Sequence, residues 1–382
     1  MQEIRYPDYD NSILNLITSI LKHYKVETNH TSLKKLDKLL EKNYKNVVFI
    51  VLDGMGEHIL NNISKDGFFK KHELDCITSV YPSTTTAALT TYYSGKPPYE
   101  SGWIAWSQYF KEYGRAINVL QHKESYQNDT LENNTMDIYT NTINYEPIFS
   151  RIEKASPDVK AYEIMPDYSD KRSNLTLRAN DVPSICENIK PLCSSDGQKF
   201  IMAYCDNPDG LLHKFGCTSC EAKDMVLEAE ANIENLCHDL KDTLVIISAD
   251  HGHKDINKVY NIIDYPEIQD CLIMPPSFEP RVLSFWVKEN KKEKFQELFN
   301  KEFSNDFILL TKEEFLDKHF LGYGNKHKKI DDFVGNFIAL SVSDAVIKIE
   351  TYLAPNTDKK KSTHCGLTKD EMEVPLIIIE NK

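Results

Sequence analysis

The apolar positions of this 382-residue chain fall into two kinds of pattern. Helical spacing of apolar residues over 12–24 and again over 31–43 predicts two helices near the start. Directly afterwards NVVFIVLD (46–53) is a continuous apolar, β-branched run, as expected of a strand buried on both faces in a parallel sheet. Similar runs recur at KFIMAYC (199–205), TLVIISAD (243–250) and VPLIIIE (374–380), and the segment 220–240 is rich in Ala, Glu and Leu at helical spacing. Strand, helix, strand in that order predicts an α/β fold: a mostly parallel central sheet with helices on both faces.

Between 256 and 350 the pattern changes. PPSFEPRVLSFWVKENKKEKFQELFN and then DFILLTKEEFL read as strand, Lys/Glu-rich helix, strand, which is enough for a small α/β insertion. The expected organisation is a catalytic domain built from 1–255 and 351–382, with 256–350 inserted as a lid or cap. Arg281, in the EPR tripeptide, either faces a ligand there or forms a structural ion pair. NPDG, GYGNKHKK and APNTDKKKSTH are turn-rich and charged and read as loops, and the Lys run at 359–361 reads as a solvated surface.

Charge narrows the ligands. With 45 Lys and Arg against 58 Asp and Glu, the net charge of −13 repels a nucleic-acid polymer, so a phosphate ligand needs local cations to reverse the field. No apolar run approaches the ~18 residues of a membrane span, and MQEIRYPDYDNSILNL lacks the basic-then-apolar order of a secretory signal, so no membrane association and a cytoplasmic location are expected. Nine cysteines, an odd number, fit free thiols in a reducing compartment, and the one CxxC, Cys217 to Cys220, has no second pair to complete a zinc knuckle. Nothing in the sequence speaks to oligomeric state.

Polar chemistry concentrates in short segments beside the predicted strands, where open parallel sheets bind ligands. VLDGMG places Asp53 at a strand end, although Asp-Gly by itself is a turn signal. In YPSTTTAALTTYYSGKPPYESG, Ser83, Thr84, Thr85 and Thr86 precede an apolar stretch; such hydroxyls cap a helix or meet an anion at its N-terminus. AYCDNPDGLLHKFG sets Asp209 and His213 four residues apart, on one face of a helical turn, where both could hold one metal ion. VIISADHGH supplies Asp250 and His251, with His253 read as a supporting or structural residue. STHCGLTKDEMEVPLIII puts His364 in a loop before the last strand. Together three Asp and three His, with Thr85 as a seventh donor, form an oxygen and imidazole set suited to Zn²⁺, with Mn²⁺ or Fe²⁺ as alternatives. Two such ions roughly 4 Å apart would clamp an in-line displacement at phosphorus.

The order of these motifs, from Asp53 to the final strand, resembles the alkaline phosphatase superfamily and most closely its nucleotide pyrophosphatase/phosphodiesterase branch. The resemblance matches Asp53 to the strand-end Asp, Thr85 to the nucleophile ten residues before Gly95, Pro208-Asp209 with His213 to the Pro-Asp…His motif, Asp250-His251-Gly252 to Asp-His-Gly, and His364 to a late His-Gly motif interrupted here by Cys365. It implies two divalent ions, one on Asp209, His213 and His364, the other on Asp53, Asp250, His251 and the Thr85 oxygen. It also implies covalent hydrolysis of a small phosphodiester or pyrophosphate through phosphothreonine.

One position departs from the family pattern. Trp106 stands where that branch carries an Asn that binds a phosphate oxygen, which leaves the Thr85 N–H, Ser107 or Gln108 for that task. Trp103 and Trp106 either stack on a base or aromatic leaving group or serve as packing. The Cys/Ser-x-Pro-x-Arg motif of sulfatases is absent. A phosphomonoesterase or a phosphomutase-like enzyme of the same superfamily is the enzymatic alternative, and a catalytically silent metal-binding scaffold is the non-enzymatic one.

Overall fold

The computed structural model of the protein describes residues 3–125, 138–348 and 359–382. The last two positions of the expected insertion, and the first five residues of the expected loop APNTDKKKSTH, lie outside them.

A seven-stranded sheet forms the centre, in the order Glu73–Thr78, Glu373–Asn381, Thr243–Ser248, Asn46–Leu52, Gln198–Cys205, Val159–Met165, Leu175–Arg178. Four of the six neighbouring pairs are parallel, and only Glu373–Asn381 opposes its neighbours. The apolar run after position 45 becomes the central strand Asn46–Leu52, buried at every position, so both faces of the sheet are covered. The helix expected over 220–240 is Cys220–Asp239, where the Ser219 side chain caps the Ala222 N–H at 3.3 Å. The two early helices run Ile13–His23 and Lys34–Leu40.

Parallel pairing has a geometric consequence for chemistry. The carboxyl ends of Asn46–Leu52, Gln198–Cys205 and Thr243–Ser248 lie side by side, and the opposed strand Glu373–Asn381 begins at that same end. Every chemistry-bearing motif therefore emerges at one rim of the sheet.

The stretch expected to be an insertion contains a sheet of its own, Ser277–Glu279, Val282–Phe285, Phe337–Ser341 and Phe307–Thr311 in that order, all antiparallel. One face packs Leu283, Phe285 and Phe337 against Phe295, Phe299 and Phe303, which recur at four-residue spacing on the helix Lys292–Phe303. Burying each such ring stabilises by about 1.5–3 kcal/mol. The opposite face, through Val282, Ile338 and Leu340, joins Trp103, Phe110 and Ile117 in a second core. The insertion thus shares a core with a segment that precedes it by more than a hundred positions in the chain. Among the described residues no helix is long and apolar enough to cross a membrane.

Candidate metal centre and active site

Backbone geometry delivers the acidic and imidazole side chains to the rim. Asp53 directly follows Asn46–Leu52, Asp250 and His251 follow Thr243–Ser248, and Asp209 opens the helix Asp209–Phe215. Thr85 is the first residue of the helix Thr85–Ser94, which Gly95 ends in a left-handed conformation. His364 follows the short strand Ser362–Thr363. Gly54 makes the close approach of these segments feasible: its φ is +74°, and a Cβ there would lie 3.0 Å from the Asp209 Cα. Its N–H donates to Asp250 Oδ1 at 3.0 Å, and the Asp209 N–H donates to the Asp53 carbonyl at 2.9 Å.

Two clusters result. In the first, His251 Nε2 lies 3.5 Å from Asp53 Oδ1, 3.3 Å from Asp250 Oδ2 and 3.3 Å from Thr85 Oγ1, while Thr85 Oγ1 is 3.4 Å from Asp53 Oδ2. The His251 Nδ1–H donates to the Gly252 carbonyl at 3.0 Å, so its Nε2 carries a lone pair toward the carboxylates. Asp53 Oδ1 and Asp250 Oδ2 are buried without a hydrogen-bond donor. Buried acceptors facing one another without a proton between them are costly unless a cation joins them, so this donor set fits a divalent ion. Burial, then the charges of Asp250 and Asp209, pushes the Asp53 carboxyl well above the usual carboxylate range, which is the same unmet demand for positive charge. The Tyr204 hydroxyl donates to Asp53 Oδ2 and orients it.

In the second cluster Asp209 Oδ1 faces the Nε2 atoms of His253, His213 and His364 at 2.6, 3.5 and 3.8 Å. Burial pushes the Asp209 carboxyl upward, but its contacts with the imidazoles, His213 first and then the hydrogen bond with His253, outweigh it and hold the group well below its usual range. Burial, with His251 next, keeps His364 well below the ordinary histidine value and therefore neutral, as a ligand imidazole must be. The Nδ1–H of His213 donates to the Ser362 carbonyl at 2.8 Å and that of His364 to the Ser83 carbonyl at 3.1 Å. Outer partners of this kind aim Nε2 at a metal position.

Two cavities open from this centre. One of about 890 Å³ is lined by Trp103, Trp106, Tyr139, Tyr145, Tyr168 and Arg172 among others; one of about 400 Å³ is lined by Ser107, Asn118, Glu279, Lys348 and Lys360. Thr85, Asp209 and Trp106 border both. Trp103 is nearly buried, stacks on Tyr139 at 5.3 Å and donates from Nε1 to the Ile143 carbonyl at 2.7 Å, so it forms a wall of the larger cavity. Trp106 is the more accessible of the pair. Gln108 is fully buried and spends its amide on the loop, accepting from the Ile104 N–H at 2.7 Å and donating to the Gly102 carbonyl at 2.9 Å, which removes it from phosphate binding. Ser107 remains at the smaller cavity. Cys217 is buried, Cys220 exposed, and both are free thiols.

The structure brings together all seven donors singled out from the motifs, sets His253, read from the sequence as a supporting or structural residue, inside the second cluster, and adds residues that sequence reasoning passed over. Tyr204 lay hidden in an apolar strand run. The Lys run at 359–361 is not wholly a solvated face: Lys360 Nζ reaches His213 Nε2 at 3.2 Å and lines the smaller cavity, because the Lys361 N–H is tied to the His213 carbonyl at 2.7 Å.

Comparisons with known proteins give the family and the fold. The family model for type I phosphodiesterase / nucleotide pyrophosphatase matches residues 47–347. No curated protein matches the chain in sequence. Among solved structures, the murine ectonucleotide pyrophosphatase/phosphodiesterase 5 is similar with a TM-score of 0.63 and 16% identity, over 86% of this chain and 87% of that one. An inactive variant of that murine protein has been solved in complex with AMP. Phosphonoacetate hydrolase from Sinorhizobium meliloti, in complex with phosphonoformate, is similar with a TM-score of 0.61 and 14% identity, over 87% and 91% of the two chains.

Proposed function

Since the chain belongs to the type I phosphodiesterase / nucleotide pyrophosphatase family and is thus a hydrolase of phosphoric ester bonds, we propose that it cleaves a small, nucleotide-like phosphodiester or pyrophosphate through a covalent phosphothreonine at Thr85. The observation that carries this reading is the place of Thr85 Oγ1, 3.3 Å from His251 Nε2 and 3.4 Å from Asp53 Oδ2, at the meeting point of two cavities.

Asp53, Asp250, His251 and the Thr85 oxygen would hold one divalent ion, and Asp209, His213 and His364 another, with Zn²⁺ the best match to the mixed donors. Ions so held would supply Lewis acidity that makes the Thr85 hydroxyl and, later, a water nucleophilic at neutral pH. Thr85 Oγ gives up its proton to water and attacks phosphorus; its bond to phosphorus forms, and the bond to the leaving oxygen breaks with the electron pair departing on that oxygen, which takes up a proton from water. A water oxygen, losing its proton as it attacks, then displaces Thr85 Oγ, which is reprotonated, and releases the phosphorylated product. The Thr85 N–H, first in its helix and without an intrahelical acceptor, is placed to donate to a non-bridging phosphate oxygen, the task for which Trp106 has no group.

A diester carries two substituents on phosphorus, and two cavities meet at Thr85. The larger, with its aromatic walls, suits a base or other flat group, as with the AMP bound to the murine neighbour. The smaller, with Lys348 and Lys360, suits a polar second arm. The test is hydrolysis of bis(p-nitrophenyl) phosphate by metal-replete protein: turnover that chelation abolishes and Zn²⁺ restores is expected. A metal-replete protein that turns over only p-nitrophenyl phosphate would transfer the reading to a phosphomonoesterase.

A further inference from the structure

We propose that Trp106, held in place by Glu279 on the strand Ser277–Glu279, determines which arm of an unsymmetrical pyrophosphate diester stays on Thr85 and which departs. This rests on the proposed function above and deepens it to a substrate with one flat arm and one polar arm.

Among the described residues three border both cavities: Thr85, Trp106 and Asp209. Thr85 and Asp209 belong to the reacting centre, so Trp106 is the shared wall that takes no part in the chemistry. On the side of the larger cavity the lining continues through the aromatic Trp103, Tyr139 and Tyr145. On the side of the smaller it turns polar: the Ser107 and Ser125 hydroxyls lie 2.7 Å apart, and Ser125 Oγ donates to Asn118 Oδ1 at 2.9 Å. A flat apolar arm gains contact in the first and would strand polar groups in the second. A polar arm has the opposite preference.

The contrast with Trp103 separates this role from packing. Trp103 is nearly buried, stacks on Tyr139 and spends its indole N–H on the Ile143 carbonyl. Trp106 is half-buried, and among the described residues no aromatic ring lies against it. Its backbone is nevertheless fixed on both sides. The N–H donates to Glu279 Oε1 at 2.9 Å, and the carbonyl accepts from the Val119 N–H at 2.8 Å. Glu279 Oε2 lies 3.0 Å from Cys365 Sγ, so one carboxylate sets the Trp106 loop against the loop that carries His364. An open aromatic face on an immobilised backbone discriminates between ligands at little cost in ordering.

The chemistry makes the choice of arm observable. Thr85 Oγ bonds to the phosphorus of the flat arm, its proton passing to water, while the bridging P–O bond breaks and the electron pair leaves on the phosphate of the polar arm. Water then adds its oxygen to the same phosphorus, one of its protons restoring the Thr85 hydroxyl and the other passing to solvent. The oxygen from water thus marks the retained arm.

The test is hydrolysis of ADP-glucose in H₂¹⁸O by the metal-replete full chain, with mass spectrometry of both products. Attack at either phosphorus yields AMP and the sugar phosphate, and only the position of the label differs. The unaltered protein should favour label in AMP by about tenfold or more, the selectivity that pocket contacts with one arm provide. Trp106→Ala should bring the ratio close to unity and Trp106→Phe should restore it; Trp106→Ser reports in place of the alanine variant should that fail to fold. Glu279→Ala should lower the ratio, whereas Glu279→Gln, which keeps an acceptor for the Trp106 N–H, should hold it. A ratio within one reaction does not depend on the fraction of active protein, so a loss of stability alone leaves it unmoved. Equal labelling by the unaltered protein, or a ratio unchanged in the small variants of Trp106, overturns the inference, and an unchanged ratio in Glu279→Ala overturns the positioning role of Glu279. Hydrolysis of bis(p-nitrophenyl) phosphate without hydrolysis of ADP-glucose overturns the inference and leaves the diesterase reading standing; hydrolysis of neither overturns both.

Discussion

Arg281 and Glu371 form a fully buried, bidentate ion pair, Nε to Oε1 at 2.6 Å and Nη2 to Oε2 at 2.7 Å, that joins the insertion to the segment between His364 and the last strand. Arg281 also donates to the carbonyls of Ala345 and Ser343, while Glu371 accepts from the N–H of Gly366. The guanidinium thus faces no cavity. It anchors the loop that carries His364. Arg281→Met leaves the Glu371 carboxylate buried and unpaired, and a loss of about 3–5 kcal/mol in unfolding free energy is expected. Replacing both partners by apolar residues should recover much of that loss, a comparison that urea unfolding of the single and double variants would settle.

Thr85→Ala is expected to keep the fold and lose turnover by several orders of magnitude, since no neighbour offers an equivalent covalent path. Thr84 and Thr86 are also buried, but side chains at a helix start diverge by about 100° per residue, so neither takes its place. Circular dichroism and kcat on a diester check both halves of the expectation. Near-normal activity in Thr85→Ala, with loss in Thr84→Ala, would mean that the nucleophile is one position earlier.

Tyr204→Phe removes the hydroxyl that donates to Asp53 Oδ2 while keeping the ring in the core. Asp53 should then be less well oriented toward the ion it shares with Asp250 and His251. Outer-shell losses of this kind weaken metal binding by about tenfold or more. Competition titration with a chelating dye is the measurement, and the equivalent assigned to Asp209 should be unaffected.

The central strands were legible in the sequence because they are buried on both faces and so must be apolar throughout, as Asn46–Leu52 and Thr243–Ser248 are. Glu73–Thr78, Val159–Met165 and Leu175–Arg178 were not, since strands toward the sheet edges are partly exposed and interleave Glu, Lys, Arg and Thr with apolar residues. The seven candidate donors were readable because each sits in a motif of fixed spacing beside a strand end. His253, Tyr204 and Lys360 act across sequence separations of 44, 151 and 147 positions. Such pairings follow from the docking of loops and strands, which local pattern does not encode. The shared core of Trp103 with the insertion escaped notice for the same reason.

Substrate charge separates the two enzymatic readings. A monoester dianion brings one more negative charge to phosphorus than a diester, and related monoesterases offset it with a cation beside the nucleophile. Here the residues flanking Thr85 are hydroxyl and apolar. Of the cations at the cavities, Arg172 donates to the Tyr145 hydroxyl at 3.2 Å and lies 3.8 Å from Glu163, and Lys360 reaches the centre on the His213 side; Lys123 and Lys171 line the larger cavity and Lys348 the smaller. Diesters should accordingly exceed matched monoesters in kcat/KM. A monoester preference of tenfold, about 1.4 kcal/mol in transition-state terms, would favour the phosphomonoesterase reading. Lys360 then offers a finer test, because it lines the smaller cavity where the second arm of a diester would lie. Lys360→Ala should lower kcat/KM about fivefold for a nucleoside triphosphate, whose departing arm is anionic, in keeping with the ~1 kcal/mol of a solvent-exposed charge pair. It should leave bis(p-nitrophenyl) phosphate, whose arms are both uncharged, nearly unchanged. Equal losses on the two substrates would place Lys360 at the metal centre instead of the leaving arm.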